Sequence, residues 1–104
     1  MYFNIAGKIR KFDTITGVNS EQIVKFNENG YHCIDGPAIV RANGDKYWYI
    51  DGKLHREGGP AVELASGTTI WYYENKVHRL DGPAIEFPNG RKLWYTNGVL
   101  NAGI

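Results

Sequence analysis

Residues 32–54, 55–77 and 78–100 are three copies of one 23-residue unit, written HCIDGPAIVRANGDKYWYIDGKL, HREGGPAVELASGTTIWYYENKV and HRLDGPAIEFPNGRKLWYTNGVL. No residue separates the copies. A fixed period of roughly 20–50 residues marks a repeat architecture, in which each unit buries its apolar face against its neighbours. Seven positions are identical in every copy: His32/His55/His78, Gly36/Gly59/Gly82, Pro37/Pro60/Pro83, Ala38/Ala61/Ala84, Gly44/Gly67/Gly90, Trp48/Trp71/Trp94 and Tyr49/Tyr72/Tyr95. The chain divides into an N-terminal cap at 1–31, repeats at 32–54 and 55–77, and a third repeat with the C-terminal end at 78–104, all within one domain.

Each copy holds two strand-like runs. The first follows Gly-Pro at 38–41, 61–64 and 84–87, and the second carries the aromatics at 46–50, 69–73 and 92–96. Asn43-Gly44, Ser66-Gly67 and Asn89-Gly90 lie between them. Asn-Gly favours a type I′ hairpin turn, which needs positive φ at both central residues. A two-residue turn there sets Ile39 opposite Trp48 and Ala38 opposite Tyr49, with the corresponding pairs in the other copies. This register expects the Trp row in the core and the Tyr row half exposed. A second turn is expected at Asp51-Gly52, Glu74-Asn75 and Asn97-Gly98. No helical period is visible, and the glycines oppose a helix. The expected fold is all-β: consecutive antiparallel hairpins in a short repeat sheet, with two strands and a folded connector per unit.

The N-terminal cap departs from the repeat. Residues 2–5 and 8–12 read as a hairpin around Ala6-Gly7, residues 13–20 as a loop, and residues 22–26 as a strand followed by a turn at 27–30. The stretch VKFNENGYH resembles the end of a repeat with one residue missing. At the other end, residues 101–104 are expected to be too short to cover the last hairpin, which points to a homodimer or a stable complex with a protein partner.

The pieces W-Y-x-[DN]-G-[KV]-L-H, a glycine-centred hairpin and the 23-residue period resemble MORN-type repeats, across roughly residues 20–101. The H-R-x-[DG]-G-P-A segment is similar to the divergent MORN variant repeats of bacterial and phage proteins. The family has Gly where this chain has Arg56 or Arg79, and one residue fewer between Trp and His. The resemblance implies a hairpin sheet serving as an interaction or membrane-association module.

Charge is nearly balanced, with 12 Lys and Arg against 11 Asp and Glu. That balance argues against long nucleic acid and lacks the basic excess that anionic lipid rewards. Cys33, the one cysteine, has no partner for an internal disulfide, so a reducing, cytoplasmic setting is expected. Neither a signal peptide nor an apolar span is visible, so no integral membrane association is expected.

The candidate binding residues are those on connectors and in the aromatic row. Arg56, Arg79, Asp35 and Asp81 sit beside the recurrent histidines, where they either form a recognition edge or cap the connectors as ion pairs. Tyr49, Tyr72 and Tyr95, with Tyr47 and Tyr73, form either an aromatic platform or part of the core. No cofactor and no metal site is expected, because equivalent histidines two strands apart are too distant to share one zinc ion. No nucleophile–base pair or phosphate loop is present, and a residue that recurs three times suits structure better than catalysis. The expected function is non-catalytic protein binding, as a small inhibitor of anti-defence or antitoxin type. The alternatives are a nucleotide-sequestering protein gripping phosphate with Arg56 and Arg79, and a membrane-surface module.

Overall fold

The computed structural model describes the backbone of residues 15–18 and all of residues 22–104. The hairpin expected at 2–12 lies outside the described residues. Those residues form an all-β protein of short antiparallel strands with no helix. The strands are β1 (Ile15–Val18), β2 (Gln22–Asn27), β3 (Gly30–Tyr31), β4 (Ile39–Arg41), β5 (Lys46–Tyr47), β6 (Tyr49–Ile50) and β7 (Lys53–Leu54). They continue as β8 (Val62–Glu63), β9 (Thr69–Ile70), β10 (Tyr72–Tyr73), β11 (Lys76–Val77), β12 (Ile85–Glu86), β13 (Lys92–Thr96) and β14 (Val99–Gly103).

The main sheet runs β1-β2-β4-β5-β8-β9-β12-β13-β14, with β3 attached to β2. Each repeat contributes two strands to it, so successive units are related by translation. The aromatic run of the repeat then changes neighbours at its tryptophan. Trp48 donates its N–H to Ala61 O at 2.7 Å, while Trp48 O accepts from His55 N at 3.1 Å. Trp71 does the same with Ala84 O and His78 N. Beyond the tryptophan the strand enters a second hairpin, β6-β7 or β10-β11. The connector is the excursion that carries the chain from this second hairpin back to the main sheet. The third strand of a unit, set aside in the sequence reading, therefore exists: in the first two units it pairs outside the main sheet, and in the third it is β14 within it.

The second hairpins also join one another. Gly52 N donates to Tyr31 O at 2.9 Å, Asn75 N to Leu54 O at 2.9 Å, and Gly98 N to Val77 O at 2.8 Å. The result is a flat, elongated body with principal extents of 50 × 27 × 17 Å.

The hairpin register differs from expectation by one residue. Ile39 lies opposite Tyr47, Val62 opposite Ile70 and Ile85 opposite Leu93, rather than opposite the tryptophans. The reason is the turn. Gly44, Gly67 and Gly90 have φ of 98°, 102° and 91°, but Asn43, Ser66 and Asn89 do not share positive φ. Arg41 N bonds to Asp45 O and Gly44 N to Arg41 O, enclosing a three-residue loop with its glycine in the bulge position. The two-residue turns with positive φ at both positions are the second ones, Asp51-Gly52, Glu74-Asn75 and Asn97-Gly98. Those were correctly placed by the sequence.

The core is small. Ala38, Ala61 and Ala84 are buried in a row, with Val24, Cys33, Ile39 and Val62 around them. The tryptophans, expected in the core, are half-buried, as are Tyr49, Tyr72 and Tyr95. The carbonyls of Ala61 and Ala84 accept the N–H of Trp48 and Trp71, so the buried row lies where the aromatic run changes neighbours.

Both ends of the array correct the sequence reading. Ile15–Val18, expected within a loop, is a strand paired along β2. Lys25 takes the tryptophan's place, donating to Ala38 O and accepting from His32 N, so the N-terminal half-repeat keeps the full period with no residue missing. At the far end, β14 pairs along all of β13, and Ile104 exchanges both backbone hydrogen bonds with Lys92. Residues 101–103 thus extend the last hairpin as its second strand, and β14 lies exposed at the edge of the sheet.

Candidate functional site

The recurrent histidines are clasps within units, each tying the head of a repeat to its second turn. His32 Nδ1 accepts the N–H of Asp51 at 3.0 Å, His55 Nδ1 that of Glu74 at 3.2 Å, and His78 Nδ1 that of Asn97 at 2.9 Å. Each acceptor serves the first residue of its own unit's second turn. An accepting Nδ1 places the neutral ring's hydrogen on Nε2. In His32 that Nε2 is buried and has no hydrogen-bond partner among the described residues. No group of three or more His, Cys, Asp or Glu side chains converges as a metal site among the described residues.

The connectors carry the candidate arginines, and here the structure gives them a mechanical role. Arg56 lies over the Trp48 ring at 4.0 Å from its centroid, and Arg79 over Trp71 at 3.9 Å. Arg56 Nη1 donates to Pro60 O and to Glu63 Oε2, both at 3.0 Å. Arg79 donates to Pro83 O at 3.1 Å and to Asp81 at 2.9 Å, with Glu86 at 3.6 Å. A Cβ added to Gly59 or Gly82 would fall 2.8 Å from the guanidinium carbon. The recurrent Trp, Arg and Gly therefore form one stack, in which glycine makes room for a planar cation held on indole. This arrangement folds the connector. It also pairs each guanidinium with a carboxylate, which offsets the charge that a phosphate grip would use.

The first connector is built differently. Cys33 stands where Arg56 and Arg79 stand, Lys25 where Trp48 and Trp71 stand, and Val40 where Glu63 and Glu86 stand. Cys33 Sγ donates to Asp35 Oδ1 at 3.2 Å. Burial pushes the Cys33 thiol up from its ordinary value, and the bond to Asp35 adds to the rise. That same bond holds the exposed Asp35 carboxyl below its ordinary value. Such a thiol is a poor nucleophile at neutral pH.

An open groove of about 710 Å³ separates the first two connectors, lined among others by Asp35, Gly36, Trp48, Arg56 and Glu57. At the connector tips, Ile34 is 76% and Leu80 83% exposed, at positions one full period-pair apart. Glu57 is their counterpart in the second connector. Sequence reasoning missed these three because it followed what recurs; the signal was the position that does not. Of the other candidates, Asp81 braces Arg79, and Tyr49 rests on Tyr31 with centroids 5.2 Å apart. Burial and the nearby Tyr31 raise the Tyr49 hydroxyl above its ordinary value. Tyr73, not the recurrent row, bridges two clasps, with its ring 4.6 Å from His55 and 6.1 Å from His78.

Among the described residues no helix is long and apolar enough to cross a membrane. Compared with known proteins, the chain matches no family model, no curated sequence and no solved structure.

Proposed function

We propose that the chain is a non-catalytic, MORN-like protein-binding module, a small inhibitor of anti-defence or antitoxin type that acts by occupying another protein. The observation that carries this reading is the connector face. Ile34 and Leu80 hold large apolar side chains in solvent at equivalent tips, and Ile34 lines the open groove between the first two connectors. Exposed apolar residues rimmed by charge are how protein-docking surfaces are built. The recurrent residues are occupied in holding the array, so the tips are free to vary with the partner.

Nucleotide sequestration is the weaker reading, because both arginines it would use are stacked on indole and paired with carboxylates. Native mass spectrometry on the gently purified chain tests the proposal. A specific co-purifying protein, or a homodimer that buries the tips, is the expected result. A bound species of a few hundred daltons with neither would contradict it.

A further inference from the structure

Each unit offers a backbone carbonyl to the next. Tyr31, Leu54 and Val77 stand last in the cap, the first unit and the second, and their carbonyls accept the N–H of Gly52, Asn75 and Gly98 in the second turn that follows. Leu100 holds the fourth place in this series, on β14, which among the described residues is an edge strand paired with β13 alone. The donor end of the series is closed differently. Asn29 stands one period before Gly52, and its N–H is taken by Asn27 Oδ1 at 2.9 Å within its own turn. One end of the series is satisfied internally; the other presents a strand edge.

We propose that β14 pairs with β14 of a second copy of this chain, antiparallel about a twofold axis, joining two arrays tail to tail. This surface is separate from the connector face, so the inference stands independently of the protein-binding reading. The backbone shows which groups are available. Ile104 turns its N–H and its C=O to Lys92, so alternation turns those of Gly103 outward. Thr96 and Val99 close the Asn97-Gly98 turn, which leaves Leu100 facing outward, as Leu54 faces Asn75. The bulge at Trp94/Tyr95 places Asn101 between the two as the extra residue. An axis that sets Leu100 of each copy opposite Gly103 of the other engages both. The side chains suit the same pairing. Val99, Leu100 and Ile104 are 64%, 54% and 71% exposed, and the strand VLNAG carries neither the charge nor the proline that keeps exposed edges apart. An uncharged strand meets no like-charge repulsion from its own copy. Head-to-tail stacking would need the Asn29 N–H, which is already used, so the association closes as a pair.

Analytical ultracentrifugation of the 104-residue chain at up to about 1 mM, with amide hydrogen exchange read by NMR at low and high concentration, tests this. A dimer should form. The Leu100 and Gly103 amides should slow as it forms, while that of Ile104, already bonded to Lys92, changes little. Leu100→Pro removes one outward N–H per copy and should weaken the dimer by roughly tenfold. Ala102→Lys, at an exposed position beside the axis, should weaken it as well without removing a backbone bond. A chain that stays monomeric, a dimer whose Leu100 and Gly103 amides exchange freely, or a dimer indifferent to both changes would overturn the inference. Ile34→Asp with Leu80→Asp separates the two surfaces and should leave this dimer intact. If that variant loses the dimer, the second copy belongs to the connector face; the inference then falls and the protein-binding reading stands.

Discussion

Arg79 holds its guanidinium 3.9 Å from the centroid of the Trp71 ring, and a Cβ on Gly82 would come within 2.8 Å of the same guanidinium. Three residues that recur with the period are thereby explained by one contact. The stack also explains why a protein with so few buried side chains holds a fixed connector. A cation on indole contributes about 0.5–2 kcal/mol depending on how far it is desolvated.

Glycine substitutions should separate the connectors. Gly82→Ala should destabilise the chain by about 0.5–1 kcal/mol in urea unfolding, because the tip of Arg79 must leave its place on the indole. Gly36→Ala should be neutral to within about 0.5 kcal/mol, since it meets open space. In the background of Arg79→Ala, Gly82→Ala should lose most of its cost. A strictly additive double variant would contradict the stack.

The histidine clasp predicts a substitution order. His55→Phe keeps a ring but leaves the exposed Glu74 N–H without its acceptor, and should cost about 0.5–1 kcal/mol. His55→Asn should recover part of that. Hydrogen exchange at the Glu74 amide reads the same contact, and should accelerate in His55→Phe and less in His55→Asn.

The second turns are unequal. Glu74 and Asn75 adopt φ of 46° and 69° without a glycine, unlike Asp51-Gly52 and Asn97-Gly98. Glu74→Asn should stabilise by about 0.5 kcal/mol, because Asn tolerates the left-handed region better. The exposed Lys53–Glu74 pair at 3.6 Å adds little to offset this. Asn75→Gly should not help, since Asn75 Oδ1 accepts the Leu54 N–H at 2.8 Å.

Cys33 gives a pH dependence with a definite sign. Its thiol value is raised in the folded chain from an ordinary 9.0, so the contribution is fully present below that value and is lost as pH rises through the raised one. Cys33→Ala should remove this alkaline loss. Alkylation of the folded chain should follow a pH profile displaced above that of the unfolded chain; an undisplaced profile would contradict the buried, Asp35-bonded thiol.

Much of the fold was legible in the 23-residue period, because translation of one unit demands an even number of strands in the shared sheet. The register was not. Asn43-Gly44 suits both a two-residue turn and a three-residue loop with a glycine bulge, and the choice between them moves every partner by one. The change of neighbours at Trp48 was invisible for a related reason: an uninterrupted aromatic run gives no sign that its two halves pair with different hairpins. The N-terminal half-repeat was obscured because Lys25 replaces tryptophan, although Val24 and His32 keep the spacing. The Arg–Trp–Gly stack was legible in principle. Cys33, Lys25 and Val40 replace the arginine, the tryptophan and the acid together in one copy, which is the mark of residues that act as a unit.

The central claim is that recurrent residues hold the array and the variable tips bind. Native mass spectrometry of the chain carrying Ile34→Asp and Leu80→Asp, beside the unaltered chain, tests it most directly. The account predicts unchanged circular dichroism and melting with loss of the bound protein or of a second copy held at the tips. Retention of that partner at full occupancy by a folded Ile34→Asp/Leu80→Asp variant would contradict it.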